Sequence, residues 1–259
     1  MYYYIFDIKK CKKRSQVENI KNYLGILGIS GEFTYPSAAQ SVKELVDLGL
    51  SKQYTTIVAI GDDEIANSVA SALFGRQEAM GFIPLEASPD LTALFGTSDW
   101  KTACEILRYR KINNINLGRT ANGECFLTSI NLNPKTPIEV TLEFKDFIVQ
   151  TTTKDLTISN FNPGIKKVSN DHLDISIKSI DPKDQTFGAK FASIFGGGKK
   201  ESDLALTLLH ARSLRIFTKS QIPLTCMNNT IAKTPQLIES TDQTLRVITA
   251  KKALDFWNN

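Results

Sequence analysis

The residues whose types and spacing could do chemistry gather at one turn. The apolar, β-branched run Thr55-Thr56-Ile57-Val58-Ala59-Ile60 leads into Gly61, three acids follow as Asp62, Asp63 and Glu64, and Ile65, Asn67, Val69 and Leu73 continue at helical spacing. Strand, glycine turn and helix N-terminus together make the place where open α/β sheets hold phosphates, because the first helical amides are unpaired and the dipole favours an anion. Acids at such a place need a divalent cation between themselves and a phosphate. Asp62, Asp63 and Glu64 are therefore the candidate residues of a metal-assisted nucleotide site, Asp62 and Asp63 at the nucleotide and Asp63 and Glu64 as ligands of Mg²⁺. Helix capping explains the same composition without a ligand, since acids in a first turn stabilise it by about 0.3–1 kcal/mol.

A second charged feature follows the opening strand 2–8. Lys9, Lys10, Lys12, Lys13 and Arg14 lie just past its carboxyl end, the edge at which open α/β sheets receive ligands. They suit ATP phosphates or anionic lipid headgroups, each near-surface charge contributing about 1 kcal/mol at a membrane; a solvated turn is the plainer alternative. The run Phe195-Gly196-Gly197-Gly198-Lys199-Lys200 lacks the spacing and the trailing hydroxyl of a phosphate loop and reads as a connector. His172 and His210 have no Ser, Cys or Asp constellation that sequence places beside them, which leaves a nucleophilic triad without support.

The elements that must position these groups alternate. Strand 2–8 is followed by a helix opening at Ser15-Gln16-Val17-Glu18, a capping-box pattern, with Val17, Ile20, Leu24 and Leu27 on one face. A second helix follows Ser37, with Gln40 three residues on, and ends near Gly49. Strand 55–60 comes next, then a helix closing at Gly75, strand 80–83, a loop after Pro84, and a helix over 99–110. This order predicts a parallel sheet with helices on both faces. From about residue 112 the period shortens to strands at 112–117, 124–130, 137–144, 147–153, 155–160 and 172–180. A helical interruption at about 185–210 precedes strands at 212–218, 222–227 and 244–249. The expected architecture is α/β: a three-layer, Rossmann-like N-terminal domain over 1–112 and an antiparallel, β-rich sandwich domain over 113–259, with a cleft between them.

A length of 259 residues with 42% hydrophobic content supplies an ample core for two domains. The net charge of +4 is mild, with 31 basic residues spread against 27 acidic ones, so nucleic acid is not implied as a partner. Cys11, Cys104, Cys125 and Cys226 stand far apart with no paired spacing, which argues against zinc and suits reduced thiols in a cytoplasm. The opening Met1 to Ile8 reads as a strand rather than a secretion signal, and no window reaches the roughly 18 apolar residues of a membrane span.

With these residues assembled, Val58-Ala59-Ile60-Gly61-Asp62-Asp63-Glu64-Ile65-Ala66-Asn67 resembles the V-A-x-G-G-D-G-T-x-N signature of the diacylglycerol kinase and sphingosine kinase group, relatives of the NAD kinases. Gly81-Phe82-Ile83-Pro84-Leu85-Glu86-Ala87-Ser88-Pro89-Asp90 sits where that group has G-x-I-P-x-G-T-x-N-D, and Asn116-Leu117-Gly118 followed by Phe126 resembles the D-L-G that opens its second domain. The resemblance implies ATP and Mg²⁺ as cofactors, Asp63 as the catalytic residue, and Gly61, Asn67, Asp90, Lys9 and Lys10 about the nucleotide. Departures are equally plain. Asp62 and Glu64 replace glycines, Ile65 replaces the threonine, Glu86 and Ala87 stand at the Gly-Thr positions, and Met227-Asn228-Asn229 stands where the group has Asp-Gly-Glu. Neither Asn nor Met can accept a proton, and loss of such a base costs about 10² to 10⁴ in rate.

The implied function is a diacylglycerol kinase-like protein that phosphorylates a lipid hydroxyl from ATP through a degenerate, weakened site. The alternative is an inactive kinase fold that binds nucleotide, lipid or a protein partner as a regulator or scaffold. An NAD-kinase-like phosphotransferase shares the same turn. A nucleotide, a lipid or membrane surface and a second copy of the chain are the partners this reading admits, in the cytoplasm or peripherally at the membrane.

Overall fold

The computed structural model describes residues 1–11, 14–161, 171–179, 205–227 and 229–250. Its first part runs β1 (Tyr2–Phe6), α1 (Arg14–Ile26), β2 (Gly31–Thr34), α2 (Val42–Ser51), β3 (Thr56–Gly61), α3 (Asp63–Leu73), β4 (Ala79–Pro84), α4 (Pro89–Phe95) and α5 (Trp100–Tyr109). The strands pair in parallel in the order β2-β1-β3-β4. Each β3 and β4 residue is buried, as expected where both faces of a parallel sheet are covered.

Alternation along the strands sorts the core into two faces. Tyr3, Ile5, Ile57, Ala59, Met80 and Phe82 pack with the apolar stripes of α2, α3 and α4. Tyr4, Phe6, Val58, Ile60 and Ile83 pack with Val17, Ile20 and Leu24 of α1 and Ala103, Cys104 and Leu107 of α5. This is the three-layer arrangement expected from the sequence. Each large side chain so buried contributes about 1.5–3 kcal/mol.

Local signals differ from expectation in places. The capping box of α2 is Ser41 with Glu44, whose side chain and backbone bonds are reciprocal; Ser37 and Gln40 instead close a preceding turn on each other. Ser15 lies inside α1, which already includes Arg14. Two further elements, β2 and α4, sit in stretches with too short a period to read; α4 is opened by Ser88 as cap with Pro89 next to it.

The second part comprises β5 (Ile112–Thr120), β6 (Cys125–Phe126), β7 (Ser129–Leu132), β8 (Ile138–Glu143), β9 (Ile148–Ser159), β10 (Leu173–Ser179), β11 (Ala205–Ala211), β12 (Ser213–Thr218), β13 (Pro223–Cys226), β14 (Asn229–Lys233) and β15 (Gln236–Ile248). Its pairings are antiparallel, and Ile130, Leu142, Ile158, Ile175, Ile216, Leu224 and Ile238 form its core. Residues 147–153 and 155–160, expected as separate strands, are continuous in β9. Residues 205–210, expected as helix, are in β11, which pairs with β10 from Leu173–Ala211 to Ser179–Ala205; the glycine-rich run 195–200 lies outside the described residues.

One strand belongs to both parts. Ser213 to Ile216 of β12 pair with the start of β15, while Arg246 and Val247 near its end pair in parallel with Ala79 and Met80 of β4. Antiparallel β5 accompanies it along its length, with a bulge between Ser240 and Thr244. Gly118 of β5 leaves no room for a side chain, because a Cβ there would lie 2.0 Å from Cζ of buried Phe126.

Candidate functional site

The turn after β3 is built by hydrogen bonds that use nearly every group the sequence singled out. Gly61 is buried, its carbonyl accepts from the amides of Leu85 and Glu86 at 2.8 and 3.3 Å, and a Cβ would lie 2.8 Å from Cγ2 of Ile65. Asp62 is the N-cap of α3: its Oδ1 accepts from the amides of Glu64 at 3.1 Å and Ile65 at 3.3 Å. The second oxygen, Oδ2, meets Nζ of Lys10 at 2.7 Å. Lys10 comes from the 3-10 turn Ile8–Lys10, which Asp7 caps by accepting from the amide of Lys9. The hydrogen bond to Asp62, followed by its charge, holds the Lys10 ammonium above its ordinary pKa. Thus the first free amides of the helix, which bind phosphate in open α/β folds, are satisfied here by the chain's own carboxylate.

Asp63 turns the other way. Its Oδ1 accepts from the amide of Ser88 at 2.8 Å, linking α3 to the cap of α4. Asp90, in the first turn of α4, lies near enough that burial and then the Asp63 carboxylate hold its own carboxyl above the usual range. Cys226 at the end of β13 is also near: burial, with a contribution from Asp63, pushes its thiol up to about 12. Glu64 is exposed, and its Oε1 accepts from Nδ2 of Asn229 at 3.0 Å, so the turn between β13 and β14 reaches across to α3.

Asn67 is a clamp between the parts. Its Oδ1 accepts from the amide of Leu127 at 2.8 Å and its Nδ2 donates to the carbonyl of Cys125 at 3.3 Å, a carbonyl that Ser71 also reaches at 3.2 Å. Both ends of the amide are therefore committed to main chain.

Beside this turn opens a crevice of about 310 Å³, lined by Asp7, Lys9, Ser37, Val42, Glu64 and Ser68 among others. It lies at the carboxyl edge of β1 and β3, and its volume is at the lower end for a small-molecule site. Lys9 supplies a cation and Ser37 and Ser68 supply hydroxyls at its wall.

Of the residues expected at a nucleotide or metal, Lys9 and Glu64 line the crevice; Lys10 and Asp62 are paired beside it; Gly61, Asp63 and Asn67 are tied into the surrounding frame, and Asp90 lies half-buried near Asp63. Lys12, Lys13 and Asn228 lie outside the described residues. The sequence offers Ser37 only as a helix opening and Ser88 only within the segment 81–90, and Asp7 and Ser68 carry no site signal of their own. Each histidine has an aspartate partner, His172 with Asp171 at 2.9 Å and His210 with buried Asp174 at 2.7 Å. Among the described residues no group of three or more His, Cys, Asp or Glu forms a metal cluster, and no helix is long and apolar enough to cross a membrane.

Neither a protein-family model nor a curated protein sequence matches the chain. Solved structures do. One described as a diacylglycerol kinase of Bacillus anthracis strain Sterne aligns with a TM-score of 0.76 at 14% identity over 97% of each chain. A second from the same strain, provisionally so described, aligns at 0.78 with 13% identity, covering 97% of this chain and 98% of its own. The chain therefore has the fold of those structures along nearly its whole length.

Proposed function

We propose that the chain is a lipid-kinase-like phosphotransferase of the diacylglycerol kinase type, using ATP with Mg²⁺ at a reduced rate. The observation that carries this reading is the Glu64–Asn229 hydrogen bond, which brings the β13–β14 turn of one part onto the α3 turn of the other beside an open crevice. The diacylglycerol kinase fold over 97% of the chain supports the same reading. Asp63 and Asp90 suit Mg²⁺, an ion that takes one or two carboxylates and completes its shell with water and phosphate. Bound there, the ion would neutralise charge on a transferring phosphoryl group. The α3 amides do not suit a phosphate while Asp62 holds them, which leaves Lys9 as the cation facing the crevice.

The rate is reduced because Asn229 faces Glu64 in a segment where the resembling group has acids, and an amide cannot take a proton from a lipid hydroxyl. That same substitution favours a second reading, a noncatalytic fold that binds nucleotide or lipid as a regulator. Transfer of radiolabelled phosphate from ATP to a lipid panel separates the two: phosphorylated lipid that disappears with Asp63→Ala supports the kinase. Heat on titration with Mg-ATP without any transfer supports the regulator, and silence in both experiments rejects both.

A further inference from the structure

The bulge in β15 borders a second, open cavity, remote from the crevice. It has a volume of about 560 Å³ and is lined by Phe74, Arg119, Arg212, Glu239, Asp242 and Gln243 among others. Phe74 is the C-cap of α3, and α3 is a helix of 11 residues, so roughly 15 Å of helix separate this cavity from the Asp62 turn.

Its charges are arranged unusually. Arg119 of β5 and Glu239 of β15 are direct cross-strand partners, a placement in which opposite charges ordinarily pair and contribute about 0.2–1 kcal/mol. They do not pair. The Arg119 guanidinium lies over the Phe74 ring at 5.9 Å instead, and among the described residues neither Arg119 nor Glu239 has an ion-pair partner. Arg212 and Asp242 do pair with each other at the rim. The cavity thus offers one cation and one anion without an ion-pair partner, with a net charge of zero over its two arginines and two acids.

We infer that this cavity binds a small zwitterion carrying a phosphate and a primary ammonium group, the phosphate on Arg119 and the ammonium on Glu239. A plain anion would face Glu239 and a plain cation would face Arg119; only a molecule with both charges satisfies both. The volume suits such a ligand. The wall also spans the two parts of the fold: Gln243 lies against the α3–β4 turn, 2.7 Å from where a Cβ on Gly75 would stand, while Arg119 and Glu239 belong to the antiparallel part. The bulge itself is fastened to β5 by Asn116, which donates to the carbonyl of Thr241, and by Thr241 Oγ1, which accepts from the amide of Leu117 at 3.0 Å. An occupant therefore stiffens the joint at which β15 passes from one sheet into the other.

Calorimetric titration of the full chain with O-phosphoethanolamine, with inorganic phosphate and ethanolamine as controls, tests this. The zwitterion is expected to bind more tightly than either control by about tenfold or more. Arg119→Ala and Glu239→Gln are each expected to remove that advantage, and amide exchange at 116–118 and 240–244 slows on binding. Both residues are exposed, so thermal melts of the variants should match the parent and separate lost binding from lost fold. Vesicles bearing ethanolamine headgroups distinguish the source: retention that depends on Arg119 without a soluble response assigns the site to a lipid headgroup of the same chemistry. The inference is overturned if no probe binds in either format, if phosphate alone binds as tightly as the zwitterion, or if both variants bind like the parent.

Discussion

Lys10 and Asp62 hold each other at 2.7 Å at the N-terminus of α3, so that a carboxylate of the chain stands where an anionic ligand would meet the helix. The cap and the ion pair separate by mutation. Asp62→Ala loses both and is expected to destabilise by about 1 kcal/mol, whereas Asp62→Asn keeps a capping oxygen and stays near the parent, because a solvent-facing pair is worth little. Asp62→Gly frees the amides of Glu64 and Ile65, and calorimetry should then record tighter Mg-ATP binding than in the parent. Unchanged or weaker binding would show that this carboxylate does not compete with phosphate.

Asn67 predicts a coupling between the two parts. Asn67→Ala strands the buried amide of Leu127, which costs about 1–3 kcal/mol. Asn67→Asp keeps the acceptor for Leu127 but sets a carboxylate against the Cys125 carbonyl. Denaturant melts should rank parent, then Asp, then Ala, with the order of the variants reversed if the Cys125 contact dominates.

Asp90 makes stability depend on pH in a stated direction. Burial and Asp63 raise its folded pKa above the unfolded value, so its ionisation opposes folding; that penalty is present at neutral pH and fades as pH falls through the folded pKa towards about 4. The helix dipole of α4 favours the charge by a few tenths of a kcal/mol, yet the net shift is upward. Asp90→Asn should therefore raise the melting temperature at pH 7 and lose the advantage near pH 4. A gain that grows on acidification would contradict the assignment.

Gly118 sits face to face with Phe126. A methyl group there must displace a ring buried on every side, so Gly118→Ala is expected to destabilise by about 1–3 kcal/mol. The measurement is a urea midpoint, with Gly25→Ala on α1 as a control, since a Cβ at Gly25 meets nothing closer than Ser30 at 3.7 Å.

The thiols should respond unequally. Burial pushes Cys104 and Cys226 up to about 12 and Cys125 to about 11; burial and then the Asp7 charge raise Cys11 as well, but it alone is partly exposed. Since the thiolate is the reactive form, a disulfide reagent at pH 8 should modify Cys11 alone in the folded chain and the other three only after denaturation.

Much of the first part was legible because its signals are local. A β-branched run followed by a capped, striped helix can be read off residues 55–73 without knowing their neighbours. Ser37 and Ser41 show the limit: both precede an apolar stripe, but Glu44 on the third helical residue completes the reciprocal box only for Ser41. Residues 205–211 contain good helix formers, and pairing with β10 overrides their propensity. The β3–α3 turn was legible by position but its wiring was not. Which acid caps, which bridges and which stays exposed depends on Lys10, Ser88 and Asn229, and Asn229 stands 165 residues from the Glu64 it meets.

The placement of Thr244 to Ile248 has an effect on how the molecule is made. The parallel sheet ends at β4 until that segment arrives to lie against Ala79 and Met80, and it follows β4 only after the whole antiparallel part has been synthesised. During translation the nascent α/β half therefore carries an open backbone edge, a template for stray strand addition. Closing it requires a contact between segments far apart in sequence, the kind of pairing that slows folding, so the emerging chain should depend on chaperone cover until β15 is free.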